Sequence, residues 1–144
     1  QNLTAERAAA VGATLARSRD ELLQRADIVT IHLVLSERTR GLVGARELAL
    51  MRPSAYLVNT SRGPIVDERA LIAALEAGAI AGAGLDVYDE EPLPPDHPFR
   101  RLPNTVITPH LGYVTEETYR IFYSQALEDV RAFLSGAPVR VLSP

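Results

Sequence analysis

Arg62, Glu91 and His110 carry the side chains of this chain that are best suited to work together on a carboxylic acid. A guanidinium presents a planar fork of donors and grips a carboxylate through two parallel charge-assisted bonds, which an ammonium cannot do. An imidazole exchanges a proton near neutral pH. A carboxylate on the second ring nitrogen fixes the tautomer and favours the charged ring. Each residue has an ordinary reading as well: Arg62 as a surface partner of a nearby acid, His110 as a turn residue, Glu91 as one of the solvated acids Asp89-Glu90-Glu91. What argues against coincidence is placement. Arg62 follows the apolar run Ala55 to Asn59, Glu91 follows Ile80 to Tyr88, and His110 follows Thr105 to Thr108. If these runs are neighbouring parallel strands, the three groups share the carboxyl edge, where open α/β sheets bind ligands. At this level both readings stay open. His32, inside an apolar run, and His97, in a proline-rich loop, read as structural.

The elements that must position these groups follow from the hydrophobic pattern. Thr4 caps an alanine-rich helix, Ala5 to Val11, that Gly12 stops, and Ala13-Thr14-Leu15 is a possible short strand. Ser18 or Asp20 caps a helix over Glu21 to Arg25, and Asp27 to Leu33 is a buried strand. A helix over Ala45 to Met51 ends at Pro53, ahead of the central strand. Asp67 caps a helix with Ala70, Leu71, Ala74 and Leu75 on one face, and Gly78 stops it. The loop 89–103 has acids, five prolines and no period. Thr115 to Leu134 is a long helix with the stripe Tyr119, Phe122, Ala126, Val130 and Phe133, closed by Gly136. Strand alternating with helix predicts a doubly wound parallel sheet with right-handed crossovers and helices on both faces.

Composition bounds the class. The 144 residues, 47% hydrophobic and 23% charged, suit one soluble globular core. A formal net charge of −3 without a basic cluster gives no electrostatic case for nucleic acid or a membrane surface. No stretch has the length of a membrane span. Zero cysteines exclude disulfides and thiolate metal sites, and no metal site is expected; a reducing, cytoplasmic location fits. The chain opens at Gln1 and has its one methionine at Met51, so the amino terminus is expected to be a cut.

In order, Asn59-Thr60-Ser61-Arg62-Gly63, Gly84-Leu85-Asp86-Val87-Tyr88 leading to Glu91-Pro92, and Thr108-Pro109-His110-Leu111-Gly112 resemble the successive motifs of the D-isomer-specific 2-hydroxyacid dehydrogenases, which include phosphoglycerate dehydrogenase. The resemblance runs from about Ala26 to Gly136. It implies a Rossmann-like fold, an NAD cofactor with NADP open, and hydride transfer between the nicotinamide and C2 of a 2-hydroxy or 2-oxo acid. Arg62 would bind the substrate carboxylate, His110 would be the general acid and base, and Glu91 would orient it. Asp86 would lie near the nicotinamide carboxamide. Thr60, Ser61 and Gly112 would line the cofactor, together with Arg62 and His110, and His32 would sit beside the adenosine. Family members often carry proline two residues after that histidine, where this chain has Val34. Glutamine at position 91 would have pointed to formate dehydrogenases, whose substrate needs no proton transfer.

The resemblance further implies a homodimer, a separate substrate domain, and a first strand, glycine fingerprint and second strand ahead of residue 1. No Gly-x-Gly-x-x-Gly follows any strand here. The stretch is thus expected to be the carboxyl-terminal part of a dinucleotide-binding domain, inactive alone, with the strand at Ile28 left as an open edge. Alternatives are a cofactor-sensing, corepressor-like interaction protein of the same fold and an inactive structural fragment.

Overall fold

In the computed structural model, residues 3–142 are described. The chain divides into two compact units, Gln1–His110 and Leu111–Pro144. In the first, four parallel strands form one sheet in the order β1 (Ile28–Ile31), β2 (Tyr56–Asn59), β3 (Gly82–Leu85), β4 (Thr105–Ile107). The registers align Ile31, Asn59, Leu85 and Ile107 on one rung, so the strands end together at their carboxyl edge. The α/β class with a parallel sheet expected from the alternation, Rossmann-like by the family resemblance, is the one observed.

Local signals set the helices. Helix α1 (Ala5–Ala9) is capped by Thr4, whose hydroxyl accepts from the Arg7 N–H at 3.3 Å. Ser18 caps α2 (Arg19–Arg25) through Glu21 N–H at 3.1 Å. Helix α3 spans Ala45–Leu50, and Asp67 caps α4 (Glu68–Glu76) through Ala70 N–H at 3.0 Å. The short strand expected at Ala13-Thr14-Leu15 does not form. Gly12 turns left-handed at φ 71°, and the Ala13 N–H closes the end of α1 on the Ala8 carbonyl at 2.9 Å, so it is spent before any ladder could use it. His32, expected inside a strand, lies just past the end of β1.

Helices were expected on both faces; in this unit α2, α3 and α4 share one. Leu23, Leu48, Leu71 and Leu75 from these helices form a single core with Val29, Ile31, Leu57, Ala83 and Leu85 from alternate strand positions. The other face carries Ile28, Tyr56 and Val106, all exposed. Topology explains this. When crossovers of one hand step always in the same direction across a sheet, every connecting helix lands on the same side. Among the described residues β1 pairs with β2 alone, so it is the open edge expected at Ile28. The β3 to β4 connection holds only a 3₁₀ turn, Pro98–Arg100, which buries Phe99.

In the second unit, Thr115 caps α5 (Glu116–Leu134), accepting from the Thr118 N–H at 3.1 Å. Gly136, at φ 77°, closes the helix. The expected stripe of Tyr119, Phe122, Val130 and Phe133 is exposed, and α5 has no buried residue.

The two sheet faces should respond differently to truncation. In the 144-residue chain, Leu57→Ala, at a side chain 0% exposed, is expected to cost about 2–5 kcal/mol. Val106→Ala, 71% exposed on the open face, should move stability by at most about 0.5 kcal/mol. Urea denaturation measures both, and comparable losses would mean that the open face is packed.

Candidate active site

The site is built outward from the end of β2. Asn59 is 1% exposed, a polar residue at a core position, and its groups are used to shape the turn that follows. Its amide Nδ2 donates to the Arg62 carbonyl at 3.0 Å, and its Oδ1 accepts from the Ser61 N–H at 3.1 Å. The Ser61 hydroxyl donates to the Ile31 carbonyl at 2.7 Å, which ties the turn to the end of β1. Arg62 then leaves the sheet in an extended conformation, φ −148° and ψ 137°, with its side chain exposed and Nη1 donating to the Ser61 carbonyl at 2.6 Å.

Gly63 presses this turn onto the next strand end. A Cβ there would lie 2.0 Å from the carbonyl carbon of Tyr88 and 2.1 Å from its oxygen. No side chain fits, because two backbones occupy the contact. Tyr88 in turn holds both sides of the candidate dyad. Its hydroxyl donates between the Leu85 carbonyl at 3.0 Å and the Thr108 carbonyl at 2.8 Å, and its N–H donates to Glu91 Oε1 at 3.0 Å.

Glu91 Oε2 lies 2.7 Å from His110 Nδ1. Both side chains are about one third exposed, 35% and 36%. His110 is left-handed, at φ 60°, a conformation costly for a residue with a Cβ and held here by its surroundings. Partial burial works to raise the Glu91 carboxyl, but the bond to His110, the Tyr88 N–H and the charges of His110 and Arg62 outweigh it. The carboxyl is therefore held below its ordinary range and stays ionised. An ionised carboxylate on Nδ1 makes that nitrogen a donor, so in the neutral ring Nε2 is the acceptor nitrogen. Tyr88, Glu91, Pro92, Leu93, Pro109 and His110 line a cleft of about 310 Å³ beside the pair.

The other sequence-derived positions of the first unit fall at the same carboxyl edge. Asp86, buried after β3, accepts from the Thr108 hydroxyl at 2.5 Å. Thr60 is exposed in the turn with Ser61. His32, exposed after β1, pairs its Nε2 with the Thr30 hydroxyl at 3.0 Å. Gly112 belongs to the second unit, in the turn ahead of α5. Sequence reasoning did not single out Asn59, Gly63 or Tyr88 as site-building residues. The available signal was an asparagine ending an apolar run four residues before a glycine. His97, read as structural, caps the 3₁₀ turn by accepting from the Phe99 N–H at 3.3 Å. Among the described residues no group of three or more His, Asp or Glu side chains is placed to hold a metal ion, and no helix is long and apolar enough to cross a membrane.

Two outcomes are expected from this geometry. Gly63→Ala should destabilise the chain by about 1–3 kcal/mol or more, because the added methyl meets backbone that cannot move aside alone; thermal or urea unfolding reads this, and a neutral substitution would mean that the two turns are not in contact. The second concerns pH. A carboxyl whose folded value is lowered contributes stability that is complete above its unfolded value and is lost as pH falls through the folded one. The stability gap between the wild type and Glu91→Gln should thus hold at pH above about 4.3, the unfolded glutamate value, and shrink below it. Urea titrations at stepped pH measure the gap, and growth on acidification would contradict the placement.

Comparison with known proteins gives a consistent picture. Residues 1–112 match the family model described as D-isomer specific 2-hydroxyacid dehydrogenase, NAD binding domain. A glyoxylate reductase of Aeropyrum pernix is 48% identical over 120 residues, 83% of this chain and 36% of that protein. A glyoxylate/hydroxypyruvate reductase B of Escherichia fergusonii is 48% identical over 117 residues, 81% of this chain and 36% of that protein. The crystal structure of a phosphoglycerate oxidoreductase from Vibrio cholerae O395 superposes with a TM-score of 0.85 at 37% identity, covering 92% of this chain and 42% of its own. The chain thus spans about a third of the length of the curated relatives it matches. With the family model covering most of the chain and a sheet that superposes on a solved relative, the chain belongs to the D-isomer specific 2-hydroxyacid dehydrogenase family, in its NAD-binding domain.

Proposed function

We propose that the whole protein is a nicotinamide-dependent oxidoreductase acting on a small D-2-hydroxy acid or its 2-oxo acid, with Arg62, Glu91 and His110 as its catalytic residues. The observation that carries this reading is the 2.7 Å bond between Glu91 and His110 Nδ1, with the charge of Arg62 acting on the same carboxylate. The names of the relatives point to glyoxylate or hydroxypyruvate as substrate.

The donors and acceptors at the carboxyl edge fit the nicotinamide end of the cofactor: the Thr60 and Ser61 turn, the buried Asp86 carboxylate, and the Arg62 and His110 side chains. Gly112 and His32 complete the set of proposed cofactor-lining positions. The phosphate end has no glycine-rich turn at a helix start among the described residues. This accords with a chain that is the carboxyl-terminal part of a dinucleotide-binding domain, with the open edge of β1 as the place where the sheet continues and a substrate domain elsewhere in the protein. NAD is the proposed cofactor, with NADP as the alternative to be compared in the assay. The reading also includes a homodimer and a cytoplasmic location, the latter supported by a sequence without cysteine.

A nicotinamide cofactor supplies the hydride in reduction and takes it back in oxidation. The chain supplies the remainder. Arg62 grips the substrate carboxylate through its fork and draws electron density from the adjacent carbonyl. During reduction, protonated His110 gives the Nε2 proton to the carbonyl oxygen as that oxygen gains charge, and in oxidation the neutral ring takes the proton from the hydroxyl. Glu91 holds the ring tautomer in both directions.

In the full-length protein, Arg62→Lys is expected to lower kcat/KM for glyoxylate or hydroxypyruvate by roughly 10- to 100-fold, matching about 1.5–3 kcal/mol for a lost charge-assisted bond. His110→Gln should lower kcat by roughly 10²–10⁴-fold and weaken NADH binding far less than it lowers turnover. Steady-state kinetics with NADH and NADPH, paired with cofactor titration, tests both. Wild-type kinetics in either variant, or equal losses in cofactor binding and turnover for His110→Gln, would remove that residue from the proposed chemistry.

A further inference from the structure

Glu91 reaches His110 from an irregular loop rather than from a strand, so something must hold that loop still. The span from Asp89 to His97 leaves β3 and returns toward the 3₁₀ turn. Both of its ends are fastened to one side chain, Glu68, the first residue of α4. Glu68 Oε2 accepts from the Asp89 N–H at 3.3 Å, and Glu68 Oε1 pairs with His97 Nε2 at 3.1 Å. The Glu68 and His97 side chains are 19% and 14% exposed, which shields their bond from water more than a surface pair would be.

The ring's tautomer is fixed from its other side. The Phe99 N–H donates to His97 Nδ1, so the proton of the neutral ring sits on Nε2 and is given to Glu68. Phe99 is buried against the His97 ring, with centroids 4.9 Å apart, and its carbonyl accepts from the Thr105 hydroxyl at 2.8 Å at the start of β4. One carboxylate therefore spans from the exit of β3 to the approach to β4, and Glu91 lies between its two attachment points.

We propose that Glu68, with His97, is a positioning residue that clasps the 89–97 loop so that Glu91 stays within bonding distance of His110 Nδ1. This rests on the proposed acid and base role of His110. Misplacement of a catalytic group by about 1 Å can cost on the order of 10²-fold. A loop with both ends tied to a helix start cannot drift by that distance without breaking a bond. The charged groups facing the clasp are Asp67, Arg40 and Asp89, and burial followed by the charges of Glu68 and Asp67 pushes the Asp89 carboxyl up against the opposing Arg40 and His97. Those facing Glu91 are His110 and Arg62.

Glu68→Gln is the direct test in the full-length protein. It keeps the shape of the side chain but offers one acceptor to two donors, so one end of the loop is released. Its kcat for the 2-oxo acid is expected to fall about tenfold, less than the roughly 10²–10⁴-fold that acid and base catalysis supplies, because His110 itself is kept. The Kd for NADH should stay within about twofold of wild type, since the clasp touches proton transfer alone. In the reduction direction the pH limb of kcat should move in the same sense as that of Glu91→Gln, because both variants loosen the bond between the carboxylate and the ring. His97→Asn keeps an acceptor for the Phe99 N–H and removes only the Nε2 donor; a smaller change in the same direction is expected, and it provides the measurement should Glu68→Gln fail to fold.

Coupling separates positioning from general weakening. On a Glu91→Gln background, Glu68→Gln should add no further change to kcat or to the pH limb. Full addition there would overturn the inference. So would wild-type kcat and pH limb in Glu68→Gln when Glu91→Gln alone moves both. If Glu91→Gln itself left kcat and the pH limb unchanged, the acid and base reading would fall, and the clasp's role with it.

Discussion

The close approach of Gly63 to Tyr88 is the contact on which the candidate site depends. It lets the turn after β2 lie directly on the backbone leaving β3, at a separation that excludes even a methyl group. Without it, Arg62 and Glu91 would belong to adjacent but independent loops. With it, the charge of Arg62 bears on the Glu91 carboxylate, and Tyr88 can spend its N–H on Glu91 and its hydroxyl on the strand that leads to His110. Steric exclusion at one position thus becomes electrostatic coupling among side chains from different strand ends.

Polar groups at the edge of the core serve the same purpose. Asn59 occupies a place where an apolar residue would pack as well, yet its amide supplies bonds that the turn backbone would otherwise lack. Ser61 closes on β1 and Asp86 on Thr108 in β4's wake, so the carboxyl ends of neighbouring strands are laced together by side chains. A buried polar group is tolerated where it is fully bonded, and here the bonding sets the shape of the site rather than adding to the core.

The one-sided packing of the sheet has the same simple origin. Strands laid down in sequence order, with crossovers of one hand, put α2, α3 and α4 on one face and leave Ile28, Tyr56 and Val106 on the other. The chemistry is indifferent to this, because parallel strands present their carboxyl ends along one edge whichever face is covered. An edge of this kind brings Glu91 and His110 within bonding distance while Ile28, Tyr56 and Val106 stay exposed.

The amino-acid sequence alone determined the alternation of elements, the caps at Thr4 and Asp67, and the α/β class with a parallel sheet, and it narrowed the cap of α2 to Ser18 or Asp20, because these rest on local periodicity and on side chains that bond within a few residues of themselves. It also placed Arg62, Glu91 and His110 after successive strands, and ordered motifs carried the family resemblance. Tertiary structure decided what depends on distant partners. Ala13 to Leu15 had a strand's composition, but whether a strand forms depends on what its amides can pair with, and Ala13 closes α1 instead. Which faces the helices cover came from strand order, which no single segment encodes. That Gly63 meets Tyr88, and that Glu68 reaches both Asp89 and His97, are facts about residues more than twenty positions apart in the chain. Such contacts arise only when packing brings separate segments within bonding distance, and no periodicity in either segment announces them.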